Sequence, residues 1–206
     1  GKLQEHGLLS RAKLKEISAG NRFRVGKFRI DPIHVNHSIP DAVIFAVDTP
    51  AGTIVYATDF KLDQTPIDGR PMDLHKLAEL GQKGVLLLLS DSTNAEKPGY
   101  TPSERIVGET FMEVFRQAPG RILVATFSSN VHRLQQAVHA ALACNRRVCV
   151  TGRSMSNVVR VACELGYLTI PEGYLIDLDE MDDYPDDQIM ILTTGSQGEP
   201  MSALSR

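Results

Sequence analysis

His37, Asp59 and Asp91 are the side chains in residues 1–100 whose types and surroundings suit metal chemistry. His37 lies in His34-Val35-Asn36-His37-Ser38-Ile39-Pro40-Asp41, and Asp59 and Asp91 each directly follow a stretch of strand character. An imidazole and carboxylates at strand ends are donors that a zinc-type ion takes. Each also has an ordinary reading. A histidine before Ser-Ile-Pro hydrogen-bonds in a turn, and a strand-end aspartate caps the next helix. A catalytic zinc wants three protein ligands and a two-metal site more, so His37 and Asp59 cannot fill a coordination sphere by themselves.

A second chemistry lies in three small, polar loops, Phe127-Ser128-Ser129-Asn130, Gly152-Arg153-Ser154 and Gly195-Ser196-Gln197-Gly198. Each follows an apolar run and opens a helical pattern. Free backbone N–H groups at helix N-termini, the Ser128 and Ser154 hydroxyls, and His132, Arg133 and Arg153 together form an anion site of the kind that takes phosphate. The plain alternative is that Gly and Ser are what strand-to-helix turns use. Residues 177–188 carry seven Asp and Glu around Tyr184-Pro185 and read as a solvated acidic loop that would repel a polyanion.

The elements that must position these groups follow from the patterning. Residues 1–20 are mostly polar, with Ala19-Gly20 as a helix stop. Phe23, Val25, Phe28 and Ile30 alternate with basic residues around Gly26-Lys27, a β-hairpin; Ala42 to Val47 and Thr53 to Ala57 flank Thr49-Pro50-Ala51-Gly52, a second one. Asp73 caps a helix through Leu74, Leu77 and Leu80. The run Val85 to Leu89 predicts a strand buried on both faces. Thr101-Pro102-Ser103-Glu104 has the capping-box spacing and predicts a helix start there. Strands at 121–126, 147–151 and 188–194 then alternate with helices, one of them capped by Asn130, which argues a parallel α/β sheet whose loops gather on one edge.

Composition bounds the rest. The 206 residues are 42% apolar and 23% charged, which excludes disordered, collagen-like and coiled-coil classes. Val85–Leu89 is far short of the roughly 20 residues a membrane span needs. No secretory signal opens the sequence, and Cys144, Cys149 and Cys163 form no C-x-x-C pair; they read as reduced thiols and predict a cytoplasmic protein. A net charge of −3 makes any polyanion site a local one.

The segments from His34 to Asp41, Thr58 to Asp63, Ser90 to Glu96, Ala125 to Arg133, Gly152 to Met155 and Thr194 to Arg206 resemble ribonuclease J, a family in the β-CASP branch of the metallo-β-lactamase fold. The resemblance runs in order from about Asn21 to Arg206. It implies an α/β fold in which 1–100 form part of a metallo-β-lactamase αββα lobe and 101–206 part of a parallel-sheet β-CASP lobe. It implies that His37 binds one zinc, that Asp59 bridges two, and that Asp91 stands near the active site. Ser128, Asn130, His132, Arg133, Arg153 and Ser154 would lie along the RNA and near its 5′ phosphate. Where the family has Gly before the metal-binding Asp, this chain has Thr58.

By the same resemblance the activity is that of a zinc-dependent, 5′-3′ exonuclease and endonuclease, hydrolysing RNA phosphodiesters with a metal-activated water. The partner would be single-stranded, 5′-monophosphorylated RNA, and the intact protein a homo-oligomer with no membrane attachment. The family's His-x-His-x-Asp-His motif, its later β-CASP histidine motifs and its dimerisation domain do not occur in these residues. The resemblance therefore implies the middle of a longer enzyme, inactive alone, with two of about seven residues of a two-zinc site. Two further readings stand beside it: a non-catalytic RNA- or nucleotide-binding α/β module, and a metallo-β-lactamase-fold hydrolase of a small phosphate ester.

Overall fold

Alternation of apolar and polar residues builds the first sheet. In the computed structural model, which describes residues 2–198, its strands are β1 (Phe23–Val25), β2 (Phe28–His34), β3 (Val43–Thr49), β4 (Gly52–Tyr56) and β5 (Leu87–Leu89), in that spatial order. The first four are antiparallel and β5 joins β4 in parallel. Both expected hairpins form. Gly26 takes φ 58° in the two-residue turn between Val25 and Phe28, a conformation that favours glycine. In the second hairpin Thr49 Oγ1 accepts from the Ala51 amide, and Thr49 pairs with Gly52. Ile33, Ile44, Ala46 and Val55 carry the buried face.

Helix α1 (Lys2–Glu5) is a single turn, and no helix ends at Ala19-Gly20; the Gly20 amide instead donates to the Pro32 carbonyl. Helix α2 (Leu74–Lys83) begins as expected, with the Asp73 carboxylate accepting from the Lys76 amide. The run Val85 to Leu89 departs from expectation. It supplies an edge strand, not a buried one, and Leu86 to Leu89 are 45–61% exposed. At the edge β5 has a backbone partner on one side only, and its exposed side chains show that the described residues leave its faces largely uncovered.

The second sheet has β6 (Ile122–Ala125), β7 (Arg147–Val150), β8 (Leu175–Ile176) and β9 (Ile189–Thr193) in the order β6-β9-β7-β8. Every pairing is parallel, as the helix–strand alternation predicts. Helices α3 (Arg105–Gln117), α4 (Val131–Ala143) and α5 (Arg153–Glu164) supply one continuous core with it. Ile122, Val124, Val148, Met190 and Leu192 from the strands meet Phe115, Leu134, Val138, Met155 and Val159 from the helices. Gly108 on α3 lies against the Gln136 side chain of α4, which a Cβ there would push aside.

The acidic stretch is more ordered than a solvated loop. It forms two 3-10 turns, Leu178–Asp183 and Asp186–Gln188, the first with a reciprocal Asp177/Glu180 capping box. Arg121 anchors it through Asp186 at 2.7 Å and Asp182 at 3.3 Å. Arg147 lies over the rings of Tyr174 and Tyr184, at 4.5 and 5.4 Å.

The chain packs as two units. One contains residues 1–34, 43–58 and 73–91; the other contains 35–42, 59–72 and 92–206. No described helix is long and apolar enough to cross a membrane.

Arg146 holds the second unit together. It is 2% exposed and has no carboxylate partner among the described residues. Its guanidinium donates to the carbonyls of Ala118 and Gly120 at 2.7 and 2.8 Å, and more weakly to Phe115 and Ile189. It thus takes up the orphan carbonyls at the end of α3, where the helix dipole favours a cation, and ties them to the first residue of β9. Arg146→Ala is expected to lower the unfolding free energy by about 3 kcal/mol, because several buried carbonyls lose their donors. Arg146→Lys should recover little of it, since an ammonium cannot reproduce the planar fork. Urea denaturation of the three proteins measures both.

Candidate functional site

His37 and Asp59 come together because Asn36 stitches their two segments. The Asn36 carbonyl accepts from the Lys61 amide at 2.8 Å, an isolated antiparallel bridge. The Asn36 side chain is buried, donating to the Arg70 carbonyl at 2.7 Å and accepting from the Met72 amide at 2.9 Å. One residue therefore fixes residues 35–42 against both ends of the 59–72 loop. With Asn36 opposite Lys61, His37 Nε2 stands 3.7 Å from Asp59 Oδ2, the imidazole 32% and the carboxylate 76% exposed. Thr58, which departs from the resemblance, has its hydroxyl satisfied by the Val43 carbonyl at 2.9 Å.

Two ligands on a tetrahedral zinc with bonds of about 2.1 Å lie about 3.4 Å apart. The His37–Asp59 separation fits that, and the donor types fit too. No group of three His, Cys, Asp or Glu side chains placed to hold a metal occurs among the described residues. The pair is suited to part of a metal site and does not form a whole one. Asp91 is half-buried just after β5.

Asp63 is the organising carboxylate of the neighbouring loop. It is 6% exposed and accepts from the Thr65 amide, the Glu104 amide and the Ser103 hydroxyl. These contacts start α3 at Arg105, four residues beyond the Thr101 capping box that the sequence suggests. Asp63 thus does from a distance in sequence what Thr101 was expected to do locally. Lys61 lies 3.9 Å from Asp63 and 3.8 Å from Glu104, and Glu104 accepts from Arg133 Nε at 2.7 Å. Burial pushes the Asp63 carboxyl up, but the Thr65 and Glu104 amides, Ser103 and Lys61 together hold it below its ordinary value.

The three loops follow β6, β7 and β9, neighbours in a parallel sheet, so they share its carboxyl edge. Ser128 Oγ and Ser154 Oγ are 2.9 Å apart, which joins the first two loops directly. Asn130 is buried and caps α4, its Oδ1 accepting from the Arg133 amide. Arg133 spends its guanidinium on Glu104. Arg153, the first residue of α5, is exposed and makes no ion pair among the described residues; Gly152 before it has φ 95°. His132 is half-buried; burial pushes its imidazole below the ordinary value, against Asp68 and Glu104, which pull it up. The third loop is described as far as Gly198, and the rest of the motif, Glu199 to Arg206 with the helix expected to start there, lies outside the described residues.

Of the residues the sequence singles out, the structure brings His37 to Asp59 and Ser128 to Ser154; Asn36, Asp63 and Glu104, which hold these segments, are not legible in the sequence. The spacing Asp63…Ser103-Glu104 carries no local signal.

Residues 119–206 match the family model for the ribonuclease J β-CASP domain. Over all 206 residues the chain is 48% identical to ribonuclease J of Helicobacter pylori strain 26695, covering 30% of that protein. It is 50% identical to ribonuclease J of Thermus thermophilus, again along its whole length and covering 36% of that protein. Over 191 residues, 93% of the chain, it is 51% identical to the Mycobacterium tuberculosis protein, of which it covers 34%. The chain therefore spans about a third of the length of these curated relatives. Its fold also matches a crystal structure of a protein of unknown function from Enterococcus faecalis V583, with TM-score 0.64 at 15% identity over 87% of this chain and 44% of that one.

A depressed carboxyl stabilises the fold at pH values where it is ionised in both states, and that contribution is lost as pH falls through the folded value. Asp63→Asn should therefore cost about 2 kcal/mol at pH 7. The gap to wild type should hold above about pH 4 and close in stronger acid. Urea midpoints of the two proteins from pH 7 to pH 3 test this; a gap constant with pH would assign the loss to shape, not charge.

Proposed function

We propose that the chain belongs to the ribonuclease J family and forms the substrate-phosphate lobe and part of the metal lobe of a metal-dependent ribonuclease. The whole enzyme would hydrolyse RNA phosphodiesters, as a 5′-3′ exonuclease and an endonuclease in RNA processing and decay. The observation that carries the reading is the convergence of His37 and Asp59, 22 residues apart in sequence, to 3.7 Å. His37 and Asp59, with further ligands, would hold a zinc ion, which when bound would activate water at neutral pH and lend Lewis acidity toward the scissile phosphodiester.

This chain's own residues do the rest by binding and orientation. Arg153, at the N-terminus of α5, offers a charge-assisted fork to a phosphate, and the α4 and α5 amides favour the same anion. Of the Ser128 and Ser154 hydroxyls, already in contact, one donates to the other, which donates to the phosphate. His132, neutral by burial, contributes a hydrogen bond without adding charge. Arg133 acts on RNA indirectly, by fixing the start of α4 against Glu104. The substrate best suited to this edge is single-stranded RNA with a 5′-monophosphate. A second reading, favoured by the lack of a third metal donor among the described residues, is that this stretch alone binds phosphate without cleaving it.

Cleavage of 5′-monophosphorylated RNA by the full-length enzyme should stop on chelation and return with added zinc. His37→Ala should lower the rate by about 100-fold or more. RNA affinity should change less than threefold, since the phosphate loops are untouched. Cleavage that persists in chelator, or survives His37→Ala, contradicts the metal assignment. The 206 residues by themselves should not retain stoichiometric zinc through purification, which elemental analysis decides.

A further inference from the structure

We propose that the β1–β2 hairpin, with the segment leading into it, is a second, sequence-independent contact surface for single-stranded RNA; this rests on the ribonuclease reading given above. Charge is distributed very unevenly along the chain. Residues 1–29 hold eight Lys and Arg against two Glu, whereas the remaining residues hold fourteen against twenty-three Asp and Glu. The net charge of −3 thus conceals a strongly cationic segment on an otherwise acidic protein.

Part of that charge is already matched. Arg22 pairs with Asp31 at 2.7 Å and Arg29 with Asp48. Arg11, Lys13, Lys15, Arg24 and Lys27 are exposed and make no ion pair among the described residues. The hairpin register sets Arg24 directly opposite Arg29, so two guanidinium-bearing residues share one face of the ribbon. Asp48, opposite Arg29 on the next strand, takes up the Arg29 charge, which leaves the Arg24 guanidinium of that pair for an outside anion.

Aromatic and aliphatic surface accompanies the charge. Phe28 is 46% and Val25 56% exposed beside the Gly26-Lys27 turn. Lys15 sits over the Phe23 ring, its Nζ 5.6 Å from the centroid. Cations that follow a backbone, interleaved with a ring face on which a base can stack, are the features by which proteins hold single strands without reading sequence. An unstructured polyanion is the partner this combination fits, since a ring face adds nothing to binding a duplex backbone.

The test compares two RNAs: a single-stranded 30-mer and a 5′-phosphorylated dinucleotide. Lys15→Ala/Arg24→Ala/Lys27→Ala should weaken the 30-mer about 10- to 100-fold at 0.1 M salt and flatten its log Kd against log salt slope by about 2. The dinucleotide should be unaffected by that variant and weakened by Arg153→Ala. Removing the same number of charges elsewhere, at Lys83, Arg116 and Arg160, should change the 30-mer less than threefold. Arg24→Lys, which keeps the charge, should bind as wild type. If the two triple variants lose the same affinity, or neither loses any, the hairpin surface is wrong. If the hairpin variant weakens the 30-mer while Arg153→Ala spares the dinucleotide, the hairpin stands and the phosphate loops fall. Loss of binding to phosphatidylserine vesicles, with the 30-mer unchanged, would reassign the patch to a membrane and overturn the proposal.

Discussion

The carboxylate of Asp63 is buried where three donors converge on it: two backbone amides and a serine hydroxyl. A buried charge is tolerable only when hydrogen-bonded and paired, so this geometry is strongly constrained. Satisfying Asp63 fixes the 59–72 loop at one end and starts α3 at the other. Glu104, held in the same act, receives Arg133 and so sets the first turn of α4. Asn36 completes the constraint by pinning the His37 segment to the same loop. The exposed pair His37–Asp59 and the start of α4 are thereby both referred to one set of buried polar contacts.

Such an arrangement separates stability from chemistry. The groups that fix the backbone, Asn36, Asp63, Asn130 and Arg146, are buried with their hydrogen bonds largely made. The groups proposed above to meet a ligand, His37, Asp59, Arg153 and Ser154, are partly or fully exposed and lightly committed. Catalytic and binding side chains on rigidly held loops need little reorganisation when a ligand arrives, which favours both affinity and rate.

The parallel sheet was readable because period and punctuation agreed. Apolar runs of four or five residues ended in Ser- and Gly-bearing loops, and Asn130 stood where a cap belonged. Both hairpins were readable from alternation and their turn residues. Asp63, Asn36 and Arg146 were not, because each acts on backbone that is distant in sequence. Asp63 overrode the Thr101 box by supplying from elsewhere the acceptor a helix start needs. Arg146 stands next to Arg147 with no local pattern to set the two apart, and the meeting of the end of α3 with the starts of β6 and β9 makes it a core residue. The run Val85 to Leu89 reported correctly that it forms a strand; its position at a sheet edge depends on topology, which local hydrophobicity does not encode. Residue types pointed to His37 and Asp59, but their proximity comes from the Asn36–Lys61 bridge.

In the proposed reading, the loops after β6, β7 and β9 hold a terminal phosphate of RNA. Phosphorus NMR of a 5′-monophosphorylated dinucleotide titrated with the protein tests it most directly, because the terminal monoester and the internal diester resonate separately. With wild type the terminal resonance should shift and broaden while the internal one moves much less, and Arg153→Ala should abolish the difference. Equal perturbation of both resonances, or an Arg153→Ala titration identical to wild type, would contradict it.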